Sequence, residues 1–344
     1  MGLLRWIGVR VGSVVALIAL GCVVVFGLAS GGSSVATPTP RTSRFVATFD
    51  LGGVKHSMAI YSALTGRRVR QLGTFGSRLT GEGLAVTAND TAVFYVVQPR
   101  NSRQQSLDLM RLDAATGRRQ LIAEGQQPAV DAMSSQLAFI TGLASVEVRD
   151  LRSGDRREVD LERMLGHRFD PLNSQLAWLG DHRTLVMLPA DRAVLVSSTH
   201  NTADKSDAPC HSTQTSWRLV FIHVPRTGPM TARCRSITAT AALPAPLPDG
   251  ATVLAASPTD PMAVWIADSG EDVNTIQQIA PTGPPRLVAE LDRNLLPQAI
   301  EPASRQLLYV DGHPPVLWEA NLTNRHLTRR RPLITRSNLD EVAW

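Results

Sequence analysis

Ala92-Val93-Phe94-Tyr95 and Leu137-Ala138-Phe139-Ile140 are one phrase, an aromatic inside a short apolar run, with 45 residues from Phe94 to Phe139. The phrase also reads Val46-Ala47-Thr48-Phe49-Asp50, 45 residues earlier. It returns as Leu176-Ala177-Trp178-Leu179, Ala263-Val264-Trp265-Ile266 and Leu307-Leu308-Tyr309-Val310, at steps of 39, 87 and 44 residues. A polar or Gly/Asp turn follows soon after each. A period of about 40–45 residues with strand-like texture belongs to β-propeller blades, each a four-stranded sheet.

A second repeat runs beside the first. Leu64-Thr65-Gly66-Arg67, Ala115-Thr116-Gly117-Arg118, Arg152-Ser153-Gly154-Asp155, Arg226-Thr227-Gly228-Pro229, Pro281-Thr282-Gly283-Pro284 and Leu322-Thr323-Asn324-Arg325 read as hairpin turns. In each, Gly or Asn supplies the positive φ that a tight connection needs. Each lies between alternating runs, such as Asp108-Leu109-Met110-Arg111-Leu112 and Arg119-Gln120-Leu121-Ile122. With strands named a to d from the axis outward, these turns join c to d, and the aromatic phrase mostly marks b. Six turns predict six blades, over 45–78, 82–125, 127–165, 168–242, 249–293 and 295–335. The fourth is overlong because the polar stretch 199–216 interrupts it. Counting Leu219-Val220-Phe221-Ile222 as another b strand would give seven blades, but too few strand-like runs fall between 168 and 242 to build two.

The first blade begins at its b strand, and residues 338–344 (NLDEVAW) form a strand-like tail with no hairpin partner. The expectation is that this tail becomes the missing innermost strand and closes the ring, with Val342 and Trp344 meeting Phe49.

This pattern is similar to six-bladed TolB-like and WD-repeat-like propellers of bacterial envelopes. Those repeats carry a Ser-Pro-Asp-Gly turn between strands a and b, and Ser257-Pro258-Thr259-Asp260-Pro261 and Trp178-Leu179-Gly180-Asp181 resemble worn versions of it. The resemblance covers residues 45–344 and implies architecture rather than activity.

Ahead of the repeats, residues 11–29 (VGSVVALIALGCVVVFGLA) hold no charge. At 1.5 Å per helical residue the segment reaches about 28 Å, the thickness of a bilayer's hydrocarbon core. Arg5 and Arg10 precede it and no charge follows until Arg41, so residues 1–10 are expected in the cytoplasm and the rest outside. A cleaved signal peptide ending at Gly27-Leu28-Ala29 is the competing reading, and the long apolar run favours an uncleaved anchor. Ala19-Leu20-Gly21-Cys22 only loosely resembles a lipoprotein box, since Val23 to Phe26 stay apolar. Residues 30–44 read as a Gly/Ser/Thr/Pro-rich linker. Lys55 and Lys205 are the only lysines among 35 basic residues, a bias typical of GC-rich bacterial coding sequence.

Chemistry is sparse. G-x-S-x-G, G-x-x-x-x-G-K-[ST] and H-E-x-x-H are all absent, so no catalytic residue, cofactor or metal site is assigned. His200, Cys210, His211, His223 and Cys234 lack metal-ligand spacing. Cys210, before strand c of the fourth blade, and Cys234, on strand d, sit within disulfide reach if adjacent strands lie about 4.8 Å apart. Glu82, Asp131, Glu301 and Asp340 are the inner-strand acids that an axial metal-dependent hydrolase or lactonase would use. Arg67-Arg68, Arg118-Arg119, Arg156-Arg157 and Arg329-Arg330-Arg331 follow c–d turns. They read as a charged outer strand that resists edge pairing, or as a basic rim facing anionic lipid or an acidic polymer. Trp178, Trp265 and Trp318 read as inter-blade packing. No aromatic-basic interleaving points to nucleic acid. The expectation is a single-pass, extracytoplasmic propeller of the bacterial cytoplasmic membrane, a non-catalytic scaffold for a protein or envelope ligand, with a propeller enzyme as the alternative.

Overall fold

The structure, a computed structural model, describes residues 44–344 apart from 53–54, 76–78, 100–106, 143–144, 166–168, 192–215, 239–250, 258–259, 270–272, 302–304, 313–314, 324 and 336–337. The uncharged segment 11–29 lies outside the described residues, and among those no helix is long and apolar enough to cross a membrane. The first strand begins at Arg44, which pairs with Ser62, one residue before the boundary read from the sequence.

Blade 1 contains β1 (Arg44–Asp50), β2 (His56–Ser62) and β3 (Arg68–Phe75). Blade 2 runs β4 (Leu79–Val86), β5 (Ala92–Val97), β6 (Asp108–Asp113) and β7 (Arg119–Glu124). Blade 3 runs β8 (Gln126–Val130), β9 (Gln136–Thr141), β10 (Ser145–Asp150) and β11 (Arg156–Asp160), followed by the one-turn helix α1 (Leu161–Leu165). Blade 4 holds β12 (Phe169–Trp178), β13 (Thr184–Asp191), β14 (Ser216–His223) and β15 (Thr231–Thr238). Blade 5 holds β16 (Ala251–Ala256), β17 (Val264–Ser269), β18 (Val273–Ile279) and β19 (Arg286–Asp292). Blade 6 holds β20 (Leu296–Glu301), β21 (Gln306–Asp311), β22 (Val316–Thr323) and β23 (His326–Thr335).

β24 (Leu339–Ala343) hydrogen-bonds to β1 and completes the sheet β24-β1-β2-β3. Its register puts Ala343 opposite Val46, Val342 opposite Ala47 and Leu339 opposite Phe49. All six sheets are four-stranded meanders with antiparallel pairing, and each innermost strand packs on its neighbours around the ring. This is a six-bladed β-propeller.

The aromatic phrase has a physical reason. Successive residues of a strand point to opposite faces, and each face of a b strand packs against a different neighbouring blade. Both faces are buried, so the run is continuously apolar instead of alternating. In β5, Val93 and Tyr95 enter the core shared with blade 1, while Phe94 and Val96 enter the core shared with blade 3. In β9, Phe139 meets Phe94 in that second core, and Ala138 and Ile140 turn toward blade 4. Each of the six seams between blades carries one such apolar cluster among the described residues. Trp265 fills the seam between blades 5 and 6 with Trp318 packed against it, and Trp178 fills the seam between blades 3 and 4.

Blade 4 departs from the rule that the phrase marks strand b. Trp178 ends β12, an innermost strand, and β13 beside it carries no aromatic. Phe221 lies on β14, a c strand, so its phrase adds no seventh blade. Gly66, Gly117, Gly154, Gly228 and Gly283 take positive φ in the c–d turns, while in blade 6 Arg325 takes it, at +67°. At Gly66 the backbone of blade 1 also meets blade 6, where a Cβ would lie 2.9 Å from Leu333 Cα.

Candidate functional site

In a six-bladed ring, inner-strand side chains meet on the axis. Its lining comes from β24, β4, β8, β12, β16 and β20, the six innermost strands. Asp131, Glu301 and Asp340 do not converge there. Asp131 follows the end of β8, and Glu301 ends β20, so both lie at the end of the ring where a–b turns sit, three blades apart. Asp340 is near the start of β24, at the opposite end. Glu82 lies within β4.

Asp131 is completely buried and committed to its own turn. Its Oδ1 accepts from the amides of Ser135 (2.6 Å) and Gln136 (2.8 Å), and its Oδ2 accepts from Ser135 Oγ (2.9 Å). An acid used this way is an Asx-type turn anchor. Glu301 is buried as well. Among the described residues, no three His, Cys, Asp or Glu side chains stand close enough together to hold a metal ion. At Gly83 the strand β4 is pressed onto β8, where a Cβ would lie 2.9 Å from Gln127 Cα.

One titratable cluster does form, at the inner end of blade 1. His56 is buried, and its Nδ1 lies 3.5 Å from Asp340 Oδ2. Asp50 is adjacent: its amide donates to Asn338 O (2.9 Å), and Asn338 Nδ2 donates back to Asp50 O. Burial raises Asp340, with His56 opposing and Asp50 adding to the shift. Burial, reinforced by Asp340, pushes Glu341 up to about 8, against the pull of the Leu84 amide on β4. Glu341 was not singled out from the sequence; the signal for it was an acidic pair, Asp340-Glu341, inside an otherwise apolar terminal strand. The cluster holds no nucleophile. What it can do is exchange protons at the point where the ring closes.

Of the arginines that follow the c–d turns, Arg119 donates to Thr74 O (3.2 Å) and stacks on Phe75, and Arg330 donates to Tyr309 Oη (2.7 Å) and Asp311 Oδ2 (3.0 Å); two further sets stand beside them. In four blades a d-strand arginine donates to backbone carbonyls in the c–d turn of the next blade. Arg70 Nη1 reaches Ala114 O at 2.7 Å, Arg157 reaches Pro225 O, and Arg235 reaches Gly283 O. Arg331 reaches Ala63 O at 2.6 Å and also Leu64 O and Glu319. These side chains staple consecutive blades, a role the sequence reading assigned neither to edge protection nor to a basic rim. The second set, Arg67, Arg118, Arg156, Arg226, Arg286 and Arg325, is exposed.

A groove of ≈ 360 Å³ opens between the outer strands of blades 6 and 1, lined by Tyr61, Gly66, Arg68, Leu333, Ile334 and Thr335. It is at the small end of ligand-pocket sizes and offers one charged side chain. Cys234 lies half-buried on β15 opposite Val220, against the apolar core shared by blades 3 and 4. Cys210 lies outside the described residues.

Comparison with known proteins agrees with this architecture and goes no further. No family model matches the chain, and no curated protein does. A solved nidogen/laminin complex contains a similar chain, with 14% identity, 87% of this chain and 97% of that chain covered, and a TM-score of 0.52. Oligogalacturonate lyase in complex with manganese gives 15% identity, coverage of 85% and 74%, and a TM-score of 0.47. The β-propeller domain of Myceliophteria thermophila Cps50 (Swd1) gives 12% identity, coverage of 79% and 90%, and a TM-score of 0.44. At such identities likeness means shared fold alone.

Proposed function

We propose that this protein is a non-catalytic binding scaffold: a six-bladed propeller held outside the bacterial cytoplasmic membrane by residues 11–29, presenting one face to a protein or envelope ligand. The observation that carries the reading is the fate of the inner acids. Asp131 spends its carboxylate on its own turn, and Asp340, at the other end of the ring, lies beside a buried histidine. A hydrolase of the axial-channel type requires convergent ligands around one metal-bound water, and these acids are split between the two ends. Trp178–Asp181 and Ser257–Pro261 fall at a–b connections of blades 4 and 5, which fits the TolB-like likeness in architecture alone.

The test is proximity labelling from a ligase fused after Trp344 in intact cells, compared with the same fusion in cytoplasmic form. Enrichment of a small, reproducible set of envelope proteins supports the scaffold. Turnover of a small ester or lactone by purified protein, abolished by Asp131→Asn or Glu301→Gln at unchanged melting temperature, overturns it in favour of the enzyme.

A further inference from the structure

Among the described residues, the end of the ring that holds the c–d turns is rich in exposed arginine. In an antiparallel meander every c–d turn lies at the same end of the ring. Arg67, Arg118, Arg156, Arg226, Arg286 and Arg325 stand at or just past those turns, one on each blade and all exposed. The stapling arginines add positive charge at the same end, because their partners there are mostly neutral carbonyls. Of the carboxylates at this end, Asp155 is exposed and Asp90 pairs with Arg44, while three others accept from backbone amides. Asp113 accepts from Thr116 N (2.7 Å), Asp150 from Arg152 N (2.8 Å) and Ser153 N (2.8 Å), and Asp181 from Thr184 N (2.9 Å). At the other end the strand termini carry Asp50, Asp108, Asp160, Asp292, Asp311 and Asp340. Lys55, Arg163 and Arg293 also stand at that end among the described residues, and Arg330 pairs with Asp311 there at 3.0 Å.

The chain enters the propeller at the arginine end. Arg44, the first residue of β1, pairs with Ser62, which leads directly into the c–d turn of blade 1.

We propose that the arginine end is a docking surface for an anionic lipid bilayer, so that the propeller rests on the membrane with its acidic end outward. The orientation rests on the anchored reading above; the lipid affinity of the surface does not. Six exposed guanidiniums on one rim match the negative surface potential of anionic lipids, and the attraction acts within a Debye length.

The test uses the full chain, with a protease site placed in residues 30–43, reconstituted in vesicles of phosphatidylcholine alone or with phosphatidylglycerol. After cleavage at low salt the propeller stays on the phosphatidylglycerol vesicles and leaves the phosphatidylcholine ones. At 1 M salt, where the Debye length is about 3 Å, it leaves both. Arg67→Glu, Arg118→Glu and Arg226→Glu each lower retention roughly fivefold or more, while Asp108→Asn and Asp292→Asn leave it undiminished. Equal release from both vesicle types overturns the proposal, as does retention on an immobilised sulfated polysaccharide without retention on lipid. Uncleaved protein that leaves vesicles of either composition overturns the anchor alone, and retention of the cleaved propeller still decides the surface.

Discussion

Glu341 shows how one residue ties the ring's closure to pH. Its amide donates to Thr48 Oγ1 (3.1 Å), so the strand is held to β1 next to a carboxyl whose pKa is pushed up to about 8. A carboxyl raised above its unfolded value binds more protons in the native state. Its contribution is therefore most favourable below pH 4.5 and is lost as pH climbs from there through about 8. Asp340, also raised, acts with the same sign. Glu341→Gln should leave the melting temperature unchanged near pH 4.5, raise it relative to wild type at pH 8.5, and flatten the slope between; calorimetry across that range checks it. An identical slope in the variant would remove Glu341 as the cause. The two arginine sets make a second contrast at this scale. Arg331→Ala deletes donors to Ala63 and Leu64 and strands the buried Glu319, which should cost about 2 kcal/mol. Arg226→Ala, on the exposed rim, should stay within about 0.5 kcal/mol. Chemical denaturation of the two variants side by side tests whether the staples differ from the rim.

At the scale of strands, closure concentrates its energy in β24. Val342 and Trp344 are buried in the seam between blades 6 and 1, with Phe45, Phe49 and Tyr61 from blade 1 and Leu308 and Leu317 from blade 6. Trp344 and Phe45 lie 6.4 Å apart between ring centroids, and Phe45 stacks on Tyr61 at 5.6 Å. Truncating a buried Trp alone costs about 3–5 kcal/mol, a large part of a domain stability of about 5–15. Deleting residues 338–344 should lower the melting temperature sharply and expose β1 as an edge that drives aggregation. Deleting residues 1–40 should leave the propeller's unfolding transition in place. Equal melting of the tail deletion and the full chain would show that the other five seams hold the ring alone. Blade 4 carries a further test. Cys234 on β15 and Cys210 in the preceding polar stretch should appear as a crosslinked peptide pair in a non-reduced digest, and alkylation of both thiols without reductant would end that pairing. The blades were legible because burial on both faces writes a continuous apolar run into strand b, and because five of the c–d turns demand glycine. Strand β13 escaped because its neighbours supply the bulk through Trp178 and Phe221, leaving it without an aromatic of its own.

For the whole molecule, sequence legibility stops where three-dimensional arrangement begins. Arginines after turns were visible as a pattern, but Arg156 and Arg157 look alike in one dimension. Only the register of β11 shows that Arg157 staples blade 4 while its neighbour faces water. The placement of the inner acids is hidden for the same reason: their position along each strand, at one end of the ring or the other, depends on strand length and not on type. Topology across a membrane is different, because it is decided by features a sequence carries openly. Residues 11–29 have no charge, Arg5 and Arg10 lie before them, and residues 30–40 are neutral, so the anchored reading proposed above expects the positive flank on the cytoplasmic side and the uncharged linker outside. An apolar span of this length partitions into the bilayer with no charged residue to oppose it. The expected outcome is a protein that pellets with membranes and resists carbonate extraction. Its propeller should be degraded by protease added to intact spheroplasts, with residues 1–10 protected. A propeller shielded in intact spheroplasts would invert the topology, and a soluble form beginning near Ser30 would replace the anchor with a cleaved leader.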